Sequence, residues 1–190
     1  MKAILALGNP GPRYRDTRHN VGWWLADRLV NRWRAEPFRE AGLALRTGAR
    51  LDDGATVEIL KPLTYVNRSG ALVEQLLDRP GWDVRRDLLV LVDDVWLEPG
   101  AIRLRARGSA GGHRGLASLE EAAGSEEYCR MRIGVGRPGD ARIELADWVL
   151  SPLPHHEEER VLEALAVAAP AVECWIREGI EAAMSRYNRS

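Results

Sequence analysis

An α/β fold is predicted by three features of this sequence. Short apolar runs alternate with segments of helical periodicity. Turns rich in Gly, Pro and Asp separate them. The 190 residues are 45% hydrophobic and 29% charged, a globular balance that supports one sizeable core. The expected architecture is a single-domain, three-layer sandwich over residues 1–190, with a central mixed, mostly parallel twisted sheet flanked by helices.

The elements follow in order. Residues 2 to 7, KAILAL, read as a buried strand ended by Gly8-Asn9-Pro10-Gly11, a tight loop at the strand's carboxyl end. Val21, Trp24, Leu25, Ala26, Leu29 and Trp33 recur at helical spacing, with Asn20 as the expected N-cap. Leu43, Leu45, Thr47, Ala49 and Leu51 alternate, Asp52-Asp53-Gly54 turns the chain, and Thr56 to Leu60 runs back as the second arm of a hairpin. A second helix is expected over Leu63–Leu77, entered through Lys61-Pro62. Leu88 to Val92 is the most apolar strand and ends at Asp93-Asp94, so a carboxylate pair caps a central strand. In residues 101–107, Ile102, Leu104 and Ala106 alternate with Arg103, Arg105 and Arg107, which predicts a strand with one basic face. After a glycine-rich loop, 114–123 reads as helix and 129–135 as strand. Beyond Pro154 an acidic, alanine-rich stretch predicts one or two closing helices, broken at Pro170. Whether residues 140–154 cover a site is not legible from their sequence.

No apolar run approaches the roughly 18 residues of a membrane span, and the amino-terminal apolar stretch is too short for a secretory signal. A cytoplasmic protein is therefore expected. Cys129 and Cys174 are far apart and have no CxxC partner, so they read as core residues rather than a disulfide or metal ligands. A net charge of −1 and a pI near 6.4 exclude a protein that grips nucleic acid over its whole surface. The charge is uneven, however. Residues 1–50 carry Lys2 and nine Arg against four acids, and residues 140–178 carry nine acids against three Arg. One face is left able to hold phosphate.

Four segments place polar groups at loop or element ends, where scaffolds present function: Gly8 to Asn20, Lys61 to Gly70, Asp93 to Gly100 and Gly108 to Gly115. The first holds His19 at a helix start. The second puts Asn67 in a helical segment, where asparagine is unfavourable unless its side chain is used. In the third, adjacent acids point in different directions, and Asp93 is the one expected to reach the site. The fourth ends at a helix start whose free N–H groups favour an anion. Two rival patterns carry less. Gly134-Val-Gly136-Arg-Pro-Gly139 satisfies GxGxxG, but Pro138 stands where the helix should begin and no acid follows at the required place. His155-His156 before Glu157, Glu158 and Glu159 reads as a solvated helix start rather than a metal site.

The segments LALGNPGPRYRDTRHNVG, KPLTYVNRSG, LVLVDDVWLEPG, GSAGGHRGL and MRIGVGRP, in this order and spacing, resemble the bacterial peptidyl-tRNA hydrolase family over nearly the whole chain. The resemblance implies a cofactor-free, metal-free esterase that acts on peptidyl-tRNA as a monomer. It makes His19 the base, Asp93 its partner, and Asn9 and Asn67 the groups that place the substrate. Tyr14, Tyr65, Gly111, Gly112, His113 and Arg114 fall at substrate-binding positions, with His113 expected to be structural rather than catalytic. Arg105 and Arg132 fall where a tRNA phosphate is received. An imidazole with an ordinary pKa near about 6.5 suits proton removal from water at neutral pH, and a carboxylate fixes its tautomer.

The chain departs from the family pattern at Arg114, where members carry asparagine, and at Val92, Val95 and Trp96. Arg114 is expected either to attract terminal phosphates or, if close, to lower the pKa of His19 by like charge. A second reading is a non-catalytic RNA-binding protein on the same scaffold, since a plant organelle splicing factor resembles this family. Retention of His19, Asp93, Asn9 and Asn67 together favours the enzyme.

Overall fold

The apolar run Lys2–Ala6 forms strand β1 at the centre of a seven-stranded sheet in the computed structural model, which describes residues 1–188. The last two positions of the domain expected over 1–190 lie outside the described residues. The other strands are β2 (Arg39–Ala41), β3 (Ala44–Arg50), β4 (Thr56–Pro62), β5 (Leu88–Asp94), β6 (Ile102–Arg105) and β7 (Cys129–Gly134), in the order β2-β3-β4-β1-β5-β7-β6. The pairs β1/β4, β1/β5 and β5/β7 are parallel, while β2/β3, β3/β4 and β6/β7 are antiparallel. Only β3 and β6 therefore run against the other strands, which makes the sheet mixed and mostly parallel.

Helices cover both faces: α1 (Val21–Trp33), α2 (Gly70–Leu77), α3 (Val84–Asp87), α4 (Arg114–Ala123), α5 (Leu145–Val149), α6 (His155–Glu178) and α7 (Ile180–Tyr187). Alternation along β1 splits the core in two. Ile4 and Ala6 pack with Leu25 and Leu29 of α1 and Val161, Leu165 and Val172 of α6. Ala3, Leu5 and Leu7 pack with Leu72, Val73 and Leu76 of α2 and Leu116 and Leu119 of α4. Each central strand is thus buried on both faces, and β5 reads as an unbroken apolar run for that reason. At Gly22 a Cβ would stand 2.7 Å from the Leu91 carbonyl oxygen and 2.8 Å from that of Leu7. Only glycine lets the first turn of α1 sit on the carboxyl ends of β1 and β5, which brings the residues just before it against both strands.

Three sequence expectations need correction. Asn20 precedes α1 but its side chain does not cap it. Its Oδ1 instead accepts from the Asn9 N–H (2.9 Å) and its Nδ2 donates to the Asn9 carbonyl (3.0 Å). The helix expected over Leu63–Leu77 begins only at Gly70. Strand β4 runs through Pro62, the Leu63 N–H is held by the Leu43 carbonyl at 2.8 Å, and a single 3-10 turn, Val66–Arg68, intervenes. Asn67 therefore lies in that turn. The carboxyl-terminal helix passes straight through Pro170 and breaks at Gly179, with φ 92°. Burial of Ala168, Ala169, Ala171 and Val172 holds the helix against the core despite the lost hydrogen bond, whereas the left-handed backbone at residue 179 ends it. The exposed edge strand β2 and the short helix α5 carry too little periodicity to be read from sequence.

Candidate active site

The carboxyl ends of the parallel strands form the floor of the site, as expected for a sheet whose chain order reverses direction beside β1. A cavity of about 640 Å³ opens there. The loop after β1 contributes Asn9, Tyr14 and His19. The turn after β4 contributes Tyr65 and Asn67, and β5 contributes Asp93 and Asp94. The glycine loop contributes Gly111, Gly112, His113 and Arg114, and β7 contributes Arg132. Eleven of the twelve site positions read from the sequence thus line one cavity; Arg105, exposed on β6, does not.

Asp93 is the centre. Its side chain is 1% exposed, and one oxygen, Oδ1, accepts from Nδ1 of His19 at 2.8 Å and from Nε2 of His113 at 2.9 Å. The two rings stand 4.9 Å apart at 47°. Oδ2 is buried with no protein partner among the described residues, so the carboxylate acts on the two imidazoles. Burial by itself raises the Asp93 pKa, but the N–H donors of His19 and His113, and the attraction to these imidazoles whenever they are protonated, hold it far below the usual carboxylate range. For His19, burial disfavours the cation, yet the charge of Asp93 and the hydrogen bond to it outweigh burial and raise the pKa above its ordinary value. Asp93 therefore decides the state of His19, and the downward push expected from Arg114 does not.

Hydrogen bonding separates the two histidines. Nδ1 of His113 accepts from the N–H groups of Gly115 (3.1 Å) and Leu116 (3.2 Å), which caps α4, so the ring proton is on Nε2 and is given to Asp93. Both nitrogens of His113 are consumed. Among the described residues His19 is bonded only through Nδ1, which donates to Asp93, so its Nε2 is left as a bare acceptor on a ring that lines the cavity. The ligand atoms of His19, Asp93 and His113 all lie within 4.8 Å of one another, a spacing that suits a metal ion. The bonding does not fit one: with Nδ1 of His113 accepting from two amides, a metal at Nε2 would require an imidazolate.

Asn9 is fixed equally firmly. Its Oδ1 accepts from the Val66 N–H at 3.0 Å while Asn20 clamps its backbone, so the group it presents to the cavity is its NH₂. Asn67 lies on the exposed side of the 3-10 turn, and its side chain has no such constraint among the described residues. The glycine loop takes left-handed backbone at Gly111 (φ 58°) and Gly112 (φ 86°), which turns it over the site before His113 starts α4. Arg114 occupies the first position of α4, in a first turn that holds no acid, where a cation opposes the helix dipole.

Arg132 is tied by Nε to Asp94 at 3.2 Å, and Asp94 also accepts the Trp96 N–H at 2.8 Å. The two acids at the end of β5 thus part company, one serving the imidazoles and the other the guanidinium. Across the β6/β7 ladder the direct partner of Arg132 is Arg103, while Arg105 faces Arg130. Arg130 is buried, spent on the carbonyls of Gly108, Glu126 and Tyr128. Sequence reasoning named Arg103 only as part of a basic strand face; the register sets it opposite Arg132. The same reasoning missed the wall formed by Leu145 and Val149 of α5 and by Leu150 just beyond it, which lines the cavity and which only packing brings there. Trp148 of α5 donates to the Gly136 carbonyl (2.8 Å) and lies under the guanidinium of Arg18, the residue before His19, at 3.6 Å. The rival motifs are placed elsewhere. Gly134 closes β7 with no helix following until Leu145, and His155 and His156 are exposed at the start of α6.

A parallel-centred α/β sheet whose cavity holds a histidine hydrogen-bonded to a buried carboxylate, with an asparagine lining the same cavity, is an arrangement able to activate a nucleophile, which is the chemistry of a hydrolytic enzyme. Comparison with known proteins narrows the class. The family described as peptidyl-tRNA hydrolase matches residues 3–190. A peptidyl-tRNA hydrolase of Gemmatimonas aurantiaca is 46% identical, covering 100% of both chains, and one of Symbiobacterium thermophilum is 47% identical, covering 98% of each. The crystal structure of peptidyl-tRNA hydrolase from Acinetobacter baumannii superimposes with a TM-score of 0.88 at 28% identity, covering 99% of this chain and 94% of that one. The chain belongs to the peptidyl-tRNA hydrolase family.

Proposed function

We propose that this chain hydrolyses the ester joining a peptide to tRNA, with residues 1–190 acting as one monomeric, cytoplasmic domain and without a metal ion. The observation that carries the reading is His19, bound to Asp93 through Nδ1 and bare at Nε2 within the cavity. Nε2 takes a proton from water as the water oxygen bonds to the ester carbonyl carbon. The imidazolium is stabilised by Asp93 and then returns that proton to the departing ribose oxygen, so the base is regenerated. The NH₂ of Asn9 donates to the developing oxyanion, a contribution of about 3 kcal/mol in comparable sites. Asn67, Tyr14 and Tyr65 hold the reacting end, Gly111 and Gly112 border the peptide, and His113 positions Asp93 rather than touching substrate.

Arg105 and Arg132 receive a tRNA phosphate, with Arg103 beside them. Arg114 serves the same anion from the first position of α4, which explains a cation placed against the helix dipole. No helix among the described residues is long and apolar enough to cross a membrane. The test is release of deacylated tRNA from peptidyl-tRNA in the presence of a chelator. Wild-type chain turns over, and His19→Ala binds tRNA but loses most of the rate. Tight binding by wild type with no turnover would instead establish a non-catalytic RNA-binding protein.

A further inference from the structure

Three residues beyond Asp93, the chain carries Trp96, one of its most exposed large apolar side chains at 62%. It lines the same cavity as His19. A solitary exposed tryptophan is ordinary, but this one is held. Its backbone N–H is fixed by Asp94 at 2.8 Å, and the guanidinium of Arg137 lies 3.8 Å from its ring. A cation on one face orients the indole and lowers the entropy lost when another group packs against it. Leu145 of α5 and Leu150 just beyond it, 36% and 40% exposed, line the cavity with it. Trp96 and these leucines thus give the cavity exposed apolar surface, and Asp94, which holds the Trp96 N–H, also holds the Arg132 guanidinium, so apolar and cationic groups meet in one cavity. A substrate with an anionic end and a peptide end finds groups suited to both in that cavity.

Resting on the hydrolase reading, we propose that Trp96 forms a specificity subsite for the side chain of the peptide residue whose carbonyl is attacked, favouring apolar and aromatic residues at that position. The experiment compares N-acetyl-phenylalanyl and N-acetyl-glycyl esters of one tRNA body, measuring kcat and KM for wild type, Trp96→Ala and Trp96→Phe. Wild type is expected to favour the phenylalanyl ester. Trp96→Ala lowers that preference by about tenfold, chiefly through KM, and Trp96→Phe retains it. An unchanged ratio in Trp96→Ala overturns the proposal. Equal losses on both esters also overturn it and show that the indole stacks on the nucleic acid instead. No turnover of either ester by wild type would overturn the hydrolase reading itself, a result distinguishable from both.

Discussion

Replacing Asp93 by Asn tests the centre of the site. Oδ1 accepts from both His19 and His113, at 2.8 and 2.9 Å. With the amide oxygen kept there, the new NH₂ occupies the place of Oδ2, which is buried without a protein partner, and a stranded donor costs about 1–3 kcal/mol of stability. With the amide flipped, the NH₂ faces Nδ1 of His19 and drives its proton to Nε2, the tautomer that is useless as a base. The equivalent exchange in a Ser-His-Asp triad lowers kcat by about 10⁴. Here the expected loss in kcat/KM is about 10²–10⁴, or roughly 3–5 kcal/mol of transition-state stabilisation.

The pH dependence supplies a second, independent sign. In wild type, Asp93 raises the pKa of His19 against burial, so activity should rise with pH through a value above the ordinary ~6.5. In Asp93→Asn the raising charge is gone and burial remains, so the acid limb should move below about 6.5. Measuring kcat/KM on peptidyl-tRNA from about pH 5 to 9 for both proteins decides it. An acid limb that stays in place or moves upward would refute the assignment, whatever the loss of rate. Stability follows the same linkage. The depressed Asp93 pKa contributes stability present above the unfolded value near ~3.9 and lost as pH falls through the folded one. The raised His19 pKa contributes stability fully present below about 6.5 and lost as pH rises through its folded value. Both describe one ion pair, and acid unfolding of Asp93→Asn should be correspondingly flatter.

Arg105→Ala should weaken tRNA binding and flatten the dependence of log affinity on log salt by about 0.7–0.9, as for one lost phosphate contact; an unchanged slope removes Arg105 from the interface. It is a cleaner probe than Arg132→Ala, which also strips the partner from the buried Asp94. Arg114→Asn should raise KM for tRNA esters at moderate salt by several-fold, with a smaller change in kcat. A sharp rise in kcat would instead show that Arg114 restrains the natural enzyme.

Much of this protein was legible in the chain alone because burial is periodic. KAILAL, the Leu43–Leu60 hairpin and the apolar β5 each carry the pattern of their surroundings, and the ends of those patterns mark where the site's loops begin. The motif segments named His19, Asp93, Asn9 and Asn67. What sequence could not supply were relations between elements. One carboxylate oxygen serves two imidazoles, Asn20 locks Asn9 rather than capping a helix, Arg103 rather than Arg105 stands opposite Arg132, and α5 walls the cavity beside Trp96. Periodicity reports which face of an element is buried. Distances across elements are decided only when both cores close, where Gly22 admits α1 to the strand ends and the burial around Pro170 outweighs its broken hydrogen bond.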